Sequence, residues 1–450
     1  MEFDSGKTGV AMANYETGYL KIDAAWAEFD SGTQTLTFKY GLVKPSSTET
    51  VKVYSLNDET QSPGWIACRV LKAVFDPSFA SVRPTSCFRW FKCLYDLASV
   101  EGLENLCTDS VTTMAGMFHS CYALKELDLT HFNTEKVTSM ETMFYLCTSL
   151  TTIYVSDKFV TTAVTNGIDM LCSCSKLVGA TNYNDNKTGL DMANYKTGYF
   201  KTYYQVGEEK HDLCGEELSV DNLELKDGED FVAMAPFSAT SATYSRSNMT
   251  SNWATLCLPF EVDADNVEGC KFYELASVDD ERSTITLNNV TGTIAAGAPV
   301  LACFDTSAQS TMSIDASNVD VVKEPTDGNQ CDGWKLVGSF AETEVPDNGY
   351  IISKNKFWLT ADLKDSSKGG ATTVKTKAMR AWLNPNGSSA AKAFSLNTAN
   401  EDEPTAVDAI NALTEGKAEF YDLQGRRTSG LQKGLNIIRV NGKTKKVMVK

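Results

Sequence analysis

Residues 111–134, VTTMAGMFHSCYALKELDLTHFNT, and residues 137–160, VTSMETMFYLCTSLTTIYVSDKFV, are two copies of one unit. Met114, Met117, Phe118 and Cys121 stand at i, i+3, i+4 and i+7, the spacing of one apolar face on a two-turn helix. Leu127 and Leu129 then alternate with Asp128, the period of a strand. Each unit therefore reads as a short helix followed by a short strand. Neither piece can bury its apolar side alone, so neighbouring units must stack to complete a core. Degraded copies flank the pair: SCFRWFKCLYDLASVEGL at 86–103 and VTNGIDMLCSCSKLVGA at 164–180. Aligning Cys93, Cys121, Cys147 and Cys174 gives intervals of 28, 26 and 27 residues. A period in the twenties marks a leucine-rich solenoid. The four thiols are expected in one buried column, and the Met/Phe/Cys stripe reads as core rather than as a cofactor box.

The two clear copies also separate inside from outside. Met114/Met140, Phe118/Phe144 and Leu127/Ile153 hold or change conservatively, whereas His119/Tyr145, Tyr122/Thr148 and Asp128/Tyr154 do not. Lys125, Asp128, Thr152 and Tyr154 flank strand core positions and are expected to face outward as a ligand-contact surface, with Tyr as the anchoring ring.

A longer repeat brackets this region. KTGVAMANYETGYLK at 7–21 matches KTGLDMANYKTGYFK at 187–201, identical at eleven of fifteen positions. The second copy leaves the repeat array, so residues 1–22 read as the exit segment of a lost or truncated array. Asp4-Ser5-Gly6-Lys7-Thr8 has a phosphate-loop ending but no room for the preceding glycine and strand. Between the copies, 23–80 reads as a β cap, with TLTFKY at 35–40 and VKVYSL at 51–56 alternating. A solenoid end exposes an apolar slab and requires such a cap. The solenoid is placed at 81–182, and an exit segment and linker at 183–225.

FDPSFASVRPTS at 75–86, followed by the V-T-x-M-x-x-M-F-x-x-C-x-x-L units and D-L-x-x-F-N-T, resembles the BspA-like leucine-rich repeat family over roughly residues 1–202. The resemblance implies a cell-surface or secreted protein of an anaerobic Gram-negative bacterium or another microbe. It also implies adhesion to host proteins, glycans or other cells.

From 226 to 400 short apolar runs recur about every ten residues, among them ATLCLPFEV at 254–262, STITLNNV at 283–290 and PVLACF at 299–304. Asp-Asn, Asp-Asp and Asp-Gly turns separate them, the patterning of an all-β sandwich. This stretch resembles a β module of surface proteins from gut and oral anaerobes.

Residues 401–416 read as a linker, and 417–450 as a small C-terminal β segment. Asn441-Gly442 before the last strand is a hairpin signal. The segment resembles the sorting signal of the type IX secretion pathway at Tyr421, Asp422, Gly425, Arg426, Gly434, Asn441, Gly442 and Lys443. That resemblance implies export across the outer membrane, with the secretion machinery as a partner. The alternative is an ordinary β-domain end. The fold class expected for the whole chain is α+β and mostly β: a short solenoid with a β cap, a sandwich-like domain and a small β tail.

The chain of 450 residues carries 41 Lys+Arg and 58 Asp+Glu, a net charge of −17. That balance opposes nucleic-acid binding, which needs a basic face. The tail is the exception: 417–450 hold nine basic and two acidic residues, a local +7. No run of 18 apolar residues occurs, and MEFDSGKTGV does not read as a signal peptide. Thirteen cysteines include no C-x-x-C pair, and the histidines are His119, His131 and His211. No metal site of ordinary spacing and no H-E-x-x-H or G-x-S-x-G motif is present, and no cofactor is expected. Asp263, Asp265 and Asn266 could contact calcium but lack the glycine and distal glutamate of a calcium loop. A non-enzymatic binding protein is the reading that follows. A structural spacer or display module, and an enzyme with an unrecognised site, remain as alternatives.

Overall fold

The structure is a computed structural model. It describes residues 24–56, 62–247, 252–304, 311–364, 372–385, 387, 389, 391–398, 418–421, 426–428, 434–440 and 443–449. The first copy of the long repeat, at 7–21, lies outside the described residues. The molecule is mostly β.

Strands β1 (Ala24–Asp30), β2 (Thr35–Gly41), β3 (Val51–Ser55), β4 (Lys72–Phe75) and β5 (Ser99–Glu101) form one sheet in the order β3-β1-β2-β4-β5. The β1–β2 hairpin sets Ala27 opposite Phe38 and Phe29 opposite Leu36, all four buried. From β2 onward pairing becomes parallel, through β4 to β5. The cap thereby hands its direction on to the coils. Phe38 lies against Phe75 and Trp90 with ring centroids 4.4 and 5.3 Å apart, so cap and first coil share one core.

The coils stack as expected, but the two-turn helix is absent from them. In the second coil, Met114, Gly116, Phe118 and Ser120 donate their backbone N–H groups to Ser139, Glu141, Met143 and Tyr145 of the third, at 2.7–2.9 Å. The intervening N–H groups of Met117, His119 and Cys121 close i→i+3 turns inside the coil. The same lateral ladder joins the first coil to the second and the third to the fourth. Two residues per coil are left-handed, which a helix cannot contain: Arg89, Gly116, Thr142 and Asp169 at one level, and Cys93, Ser120, Leu146 and Ser173 at the other. Gly116 adopts this conformation (φ 63°) without Cβ strain, and a Cβ there would meet Arg89 Cγ at 3.2 Å. Turns of three residues mimic the apolar spacing of a helix while sending half their donors sideways.

This register corrects the expected thiol column. Cys121, Cys147 and Cys174 are buried, and their thiols donate to the carbonyls of Phe91, Phe118 and Phe144 at 3.0–3.1 Å. Cys93 is only half-buried, because it occupies the left-handed level of Ser120 and Leu146. Leu94 takes the column position in the first coil. Beside the thiols runs a ring stack, Phe91–Phe118–Phe144, with centroids 5.2 and 5.8 Å apart and planes within 13° and 4°. Phe200 closes it edge-on at 6.1 Å.

The strand side of the coils carries β6 (Glu126–Leu129) and β7 (Thr152–Val155), paired in parallel. Lys201 continues the row by a parallel bridge to Tyr154. The stretch expected as exit segment and linker then folds into β8 (Thr202–Val206), β9 (Glu209–Leu213) and β10 (Ser219–Lys226). Strand formation there reflects the alternation of Leu223 and Leu225 with charged neighbours.

Beyond lie β11 (Phe231–Ala233) and β12 (Phe237–Arg246), the latter central to a three-stranded sheet with β10 and Met312–Val321. Where two matched sheets were expected, a ten-stranded sheet curls so far that its first strand, Trp253–Leu256, meets Arg380–Pro385 across the curl. Thr255 Oγ1 donates to the Ala381 carbonyl at 2.8 Å and accepts from its N–H at 3.0 Å. One core fills the curl, around Leu275, Leu287, Leu336, Tyr350 and Phe394. Another lies between the curled and three-stranded sheets, around Leu225, Tyr244, Phe260, Phe272 and Ile314. In the tail, Ala418–Tyr421, Gly434–Val440 and Lys443–Val449 pair antiparallel.

Candidate functional site

The expected ligand face is the outer side of β6 and β7. Alternation puts Leu127, Leu129, Ile153 and Val155 inward, as read. The outer side is not free, because the β8–β9 hairpin folds over it. The Tyr154 hydroxyl donates to Asp212 Oδ1 at 2.8 Å, and the Tyr203 hydroxyl to Asp128 Oδ2 at 3.1 Å. The Lys210 ammonium lies 3.4 Å from the Tyr154 ring centroid and 4.1 Å from that of Tyr203. Tyr154 retains 7% of its surface. Burial and then Asp212 push its hydroxyl well above the usual tyrosine range. Burial pushes the Asp212 carboxyl up, but hydrogen bonds from Lys201 and Tyr154 outweigh it and hold the group below the ordinary value. Asp128 and Tyr154 thus stand on the outer side as expected, but not as a free surface: they seat the hairpin, with Tyr154 buried and Asp128 half-buried. Lys125 stays exposed and Thr152 half-buried at the margin.

The turn side of the coils is open. With Leu94 and Cys121 in register, Tyr95 and Tyr122 become equivalent positions. Their rings stack 5.2 Å apart with planes within 10°, yet remain 52% and 40% exposed. His119 and Tyr145 form a second stacked pair at 4.9 Å. Both ladders stop after the third coil at the latest, because Tyr122 is followed by Thr148 and Ser175, and Tyr145 by Cys172. Arg89 and Lys92 stand on the first-coil side. Burial first, then the positive charges of Lys92 and Arg89, lower the His119 pKa, so the ring is held neutral. Its Nδ1 is buried without a hydrogen-bond partner among the described residues. Sequence reasoning missed Tyr95, because aligning Cys93 with Cys121 shifts the first coil by one residue.

A groove of about 650 Å³ lies between the hairpin and the free edge of β10, lined by Tyr204, Glu209, His211, Leu223, Glu224 and Glu229, among others. His211 stacks on Tyr204 at 4.7 Å. The calcium candidates are occupied by their own turn: Asp263 accepts from Asp265 N and Asn266 Nδ2, and Asp265 from Gly292 N. Among the described residues no group of three or more His, Cys, Asp or Glu side chains could hold a metal. No helix among them is long and apolar enough to cross a membrane.

In the tail, the Tyr421 hydroxyl donates to Glu419 at 2.9 Å, Arg426 is exposed, Gly434 opens a strand and Lys443 pairs with Val440. Asp422, Gly425, Asn441 and Gly442 lie outside the described residues, and with them the expected hairpin turn.

A family model described as Mycoplasma protein of unknown function, DUF285, matches residues 89–197. The matched stretch runs from Arg89 in the first coil through the segment that closes the fourth, 109 of 450 residues. No curated protein and no solved structure matches the chain.

Proposed function

We propose that this chain is a non-enzymatic cell-surface or secreted binding protein. In this reading its coils are a short leucine-rich repeat solenoid of the BspA-like kind, and its basic tail is a type IX sorting segment. The observation that carries the binding role is the open turn side. Large stacked rings, Tyr95 on Tyr122, stand exposed on a rigid stack although nothing in the core requires them there. Exposed aromatic rings supply contact area at little entropic cost, which suits adhesion to a host protein or glycan. The lateral ladder keeps their spacing fixed without a ligand.

The test is capture of host extracellular proteins and glycans on the immobilised full chain and on a Tyr95→Ser/Tyr122→Ser variant. The reading expects capture by the first and loss with the second. Equal capture by both would move the binding site elsewhere. No capture by either, with normal surface display, would favour a spacer.

A further inference from the structure

We infer that the turn side of the first three coils binds an oligosaccharide bearing a carboxylate, with the acid group on Arg89 and Lys92 and the neutral sugars against Tyr122 and Tyr145. The inference rests on the binding role proposed above and names its ligand class.

The first argument is geometric. Equivalent residues of successive coils repeat at the spacing of parallel strands, about 4.8 Å, and the Tyr95–Tyr122 centroids lie 5.2 Å apart. One coil step therefore matches one pyranose unit of a chain laid along the stack. The cations belong to the first coil, and the ring ladders end at the second and third. Carboxylate and last sugar would thus be separated by about two coil steps, roughly 10 Å, which a trisaccharide spans.

The second argument is chemical. Where the Tyr95–Tyr122 ladder stops, the next residues are small and hydroxylated: Thr148 and Ser175. A tyrosine face beside hydroxyl groups suits a sugar, whose C–H face packs on the ring while its hydroxyls take hydrogen bonds. The ring of His119, held neutral, offers a face without adding charge.

The third argument is electrostatic. The chain as a whole carries −17, so a polyanion would be repelled at range. Arg89 and Lys92 form a local exception. Asp96, the nearest acid along the chain, is engaged by Arg69 Nε at 2.8 Å. One carboxylate among neutral sugars fits this balance better than a sulfated polymer. A protein partner is less well served. Stable protein contacts bury about 800 Å² on each side around an apolar centre, whereas this face offers two short ring ladders set among polar groups.

The test uses the full chain with sialyllactose and glucuronosyl-xylobiose, each a single acidic sugar on a neutral disaccharide, as probes, and lactose and cellotriose as neutral controls. Binding is followed by ligand-observed NMR and calorimetry. The acidic sugars should bind at least about tenfold more tightly than the neutral ones, equivalent to about 1.4 kcal/mol. Lys92→Ala should erase that preference, and Lys92→Arg should retain it. Tyr122→Ala should weaken all four sugars. Arg89 packs over Phe88 in a left-handed conformation, so Arg89→Ala needs its thermal unfolding measured alongside, and Lys92→Ala carries the argument if it fails to fold. No acidic-sugar binding at millimolar concentration, or binding indifferent to Tyr122→Ala, overturns the inference. If the sugars fail while captured proteins still require Tyr95 and Tyr122, the glycan class falls and the binding role stands.

Discussion

Replacing Phe118 by Ala tests the stack at its centre. Phe118 is fully buried between Phe91 and Phe144, at 5.2 and 5.8 Å. Truncation removes the six ring carbons from a site whose walls are held by two lateral ladders, so collapse around the gap is limited. Buried Phe→Ala changes cost about 3–5 kcal/mol. At about 1.4 kcal/mol per factor of ten, the opening equilibrium of the stack should rise by roughly two to three and a half powers of ten.

The buried thiols report that opening directly. Cys121, Cys147 and Cys174 are shielded in the closed stack, and the rate of alkylation follows the open population when reclosing is fast. Mass spectrometry after timed labelling of the full chain should show all three accelerated together. A gap that merely admits reagent would speed Cys121 and Cys147 but spare Cys174, which sits one coil further along. His119→Ala, at a half-buried ring, should change the rates by less than about tenfold, under ~1.4 kcal/mol. Acceleration of all three thiols by less than about threefold in Phe118→Ala, under ~0.7 kcal/mol, would refute the claim that the ring stack holds the coils together.

In the native chain, Cys93 should alkylate well before Cys121, Cys147 and Cys174; equal rates would show the assigned register to be wrong. Asp227 should contribute to stability above its unfolded pKa, about 3.9, and lose that contribution as pH falls through its lower folded value. Asp227 accepts from Arg380 at 2.6–3.1 Å and lies 3.8 Å from Arg246 in one cluster; burial raises its carboxyl, but these two cations outweigh the effect and lower it. Asp227→Asn should therefore cost about 1–3 kcal/mol at pH 7 and flatten the acid limb of urea unfolding; an unchanged acid limb would remove the cluster from the account. Deleting 417–450 should leave thermal unfolding of the remainder nearly unchanged and hold the protein inside the envelope of its native host. Normal surface display of the truncated chain would defeat the sorting proposal.

The stacking and the core positions were legible because they repeat. Phe118/Phe144 and Leu127/Ile153 are fixed by burial, and burial leaves a period. The helix was misread for a physical reason. Turns closed i→i+3 place apolar residues at nearly helical intervals, and the sequence does not display the left-handed residues that break the run. Only Gly116 hints at them, since Arg89, Thr142 and Asp169 occupy the same conformation without glycine. The first coil slipped by one because Cys93 is a cysteine and Leu94 is not, although Leu94 is the one that packs. That slip also hid the Tyr95–Tyr122 pair, which the corrected register makes visible in the sequence. The covering of β6 and β7 could not be read at all. Asp128 meets Tyr203 across 75 residues, and no local pattern announces a contact of that separation.

On the turn side the ladder between coils runs one way, whereas the segments before the turns donate in the reverse direction, as from Thr112, Thr138 and Thr165 to the carbonyls of Thr85, Thr112 and Thr138. In the turns each coil donates N–H groups forward and offers carbonyls backward, so the turns of the first coil present acceptors and those of the last present donors. The cap supplies a donor: the Trp65 indole N–H reaches the Trp90 carbonyl at 2.6 Å, where a preceding coil would have placed a backbone N–H. The closing segment supplies acceptors: the Thr188 carbonyl takes the Leu171 N–H at 3.1 Å, and the Tyr183 hydroxyl takes that of Ser173 at 2.8 Å. At the turns, exchanging the two elements would set donor against donor and acceptor against acceptor. The turn ladder is thus matched by a donor at the cap and acceptors at the closing segment, while the strand-side bonds run both ways. The proposed binding surface follows the turn ladder, with Arg89 and Lys92 on the cap side and its last ring, Tyr145, toward the closing segment.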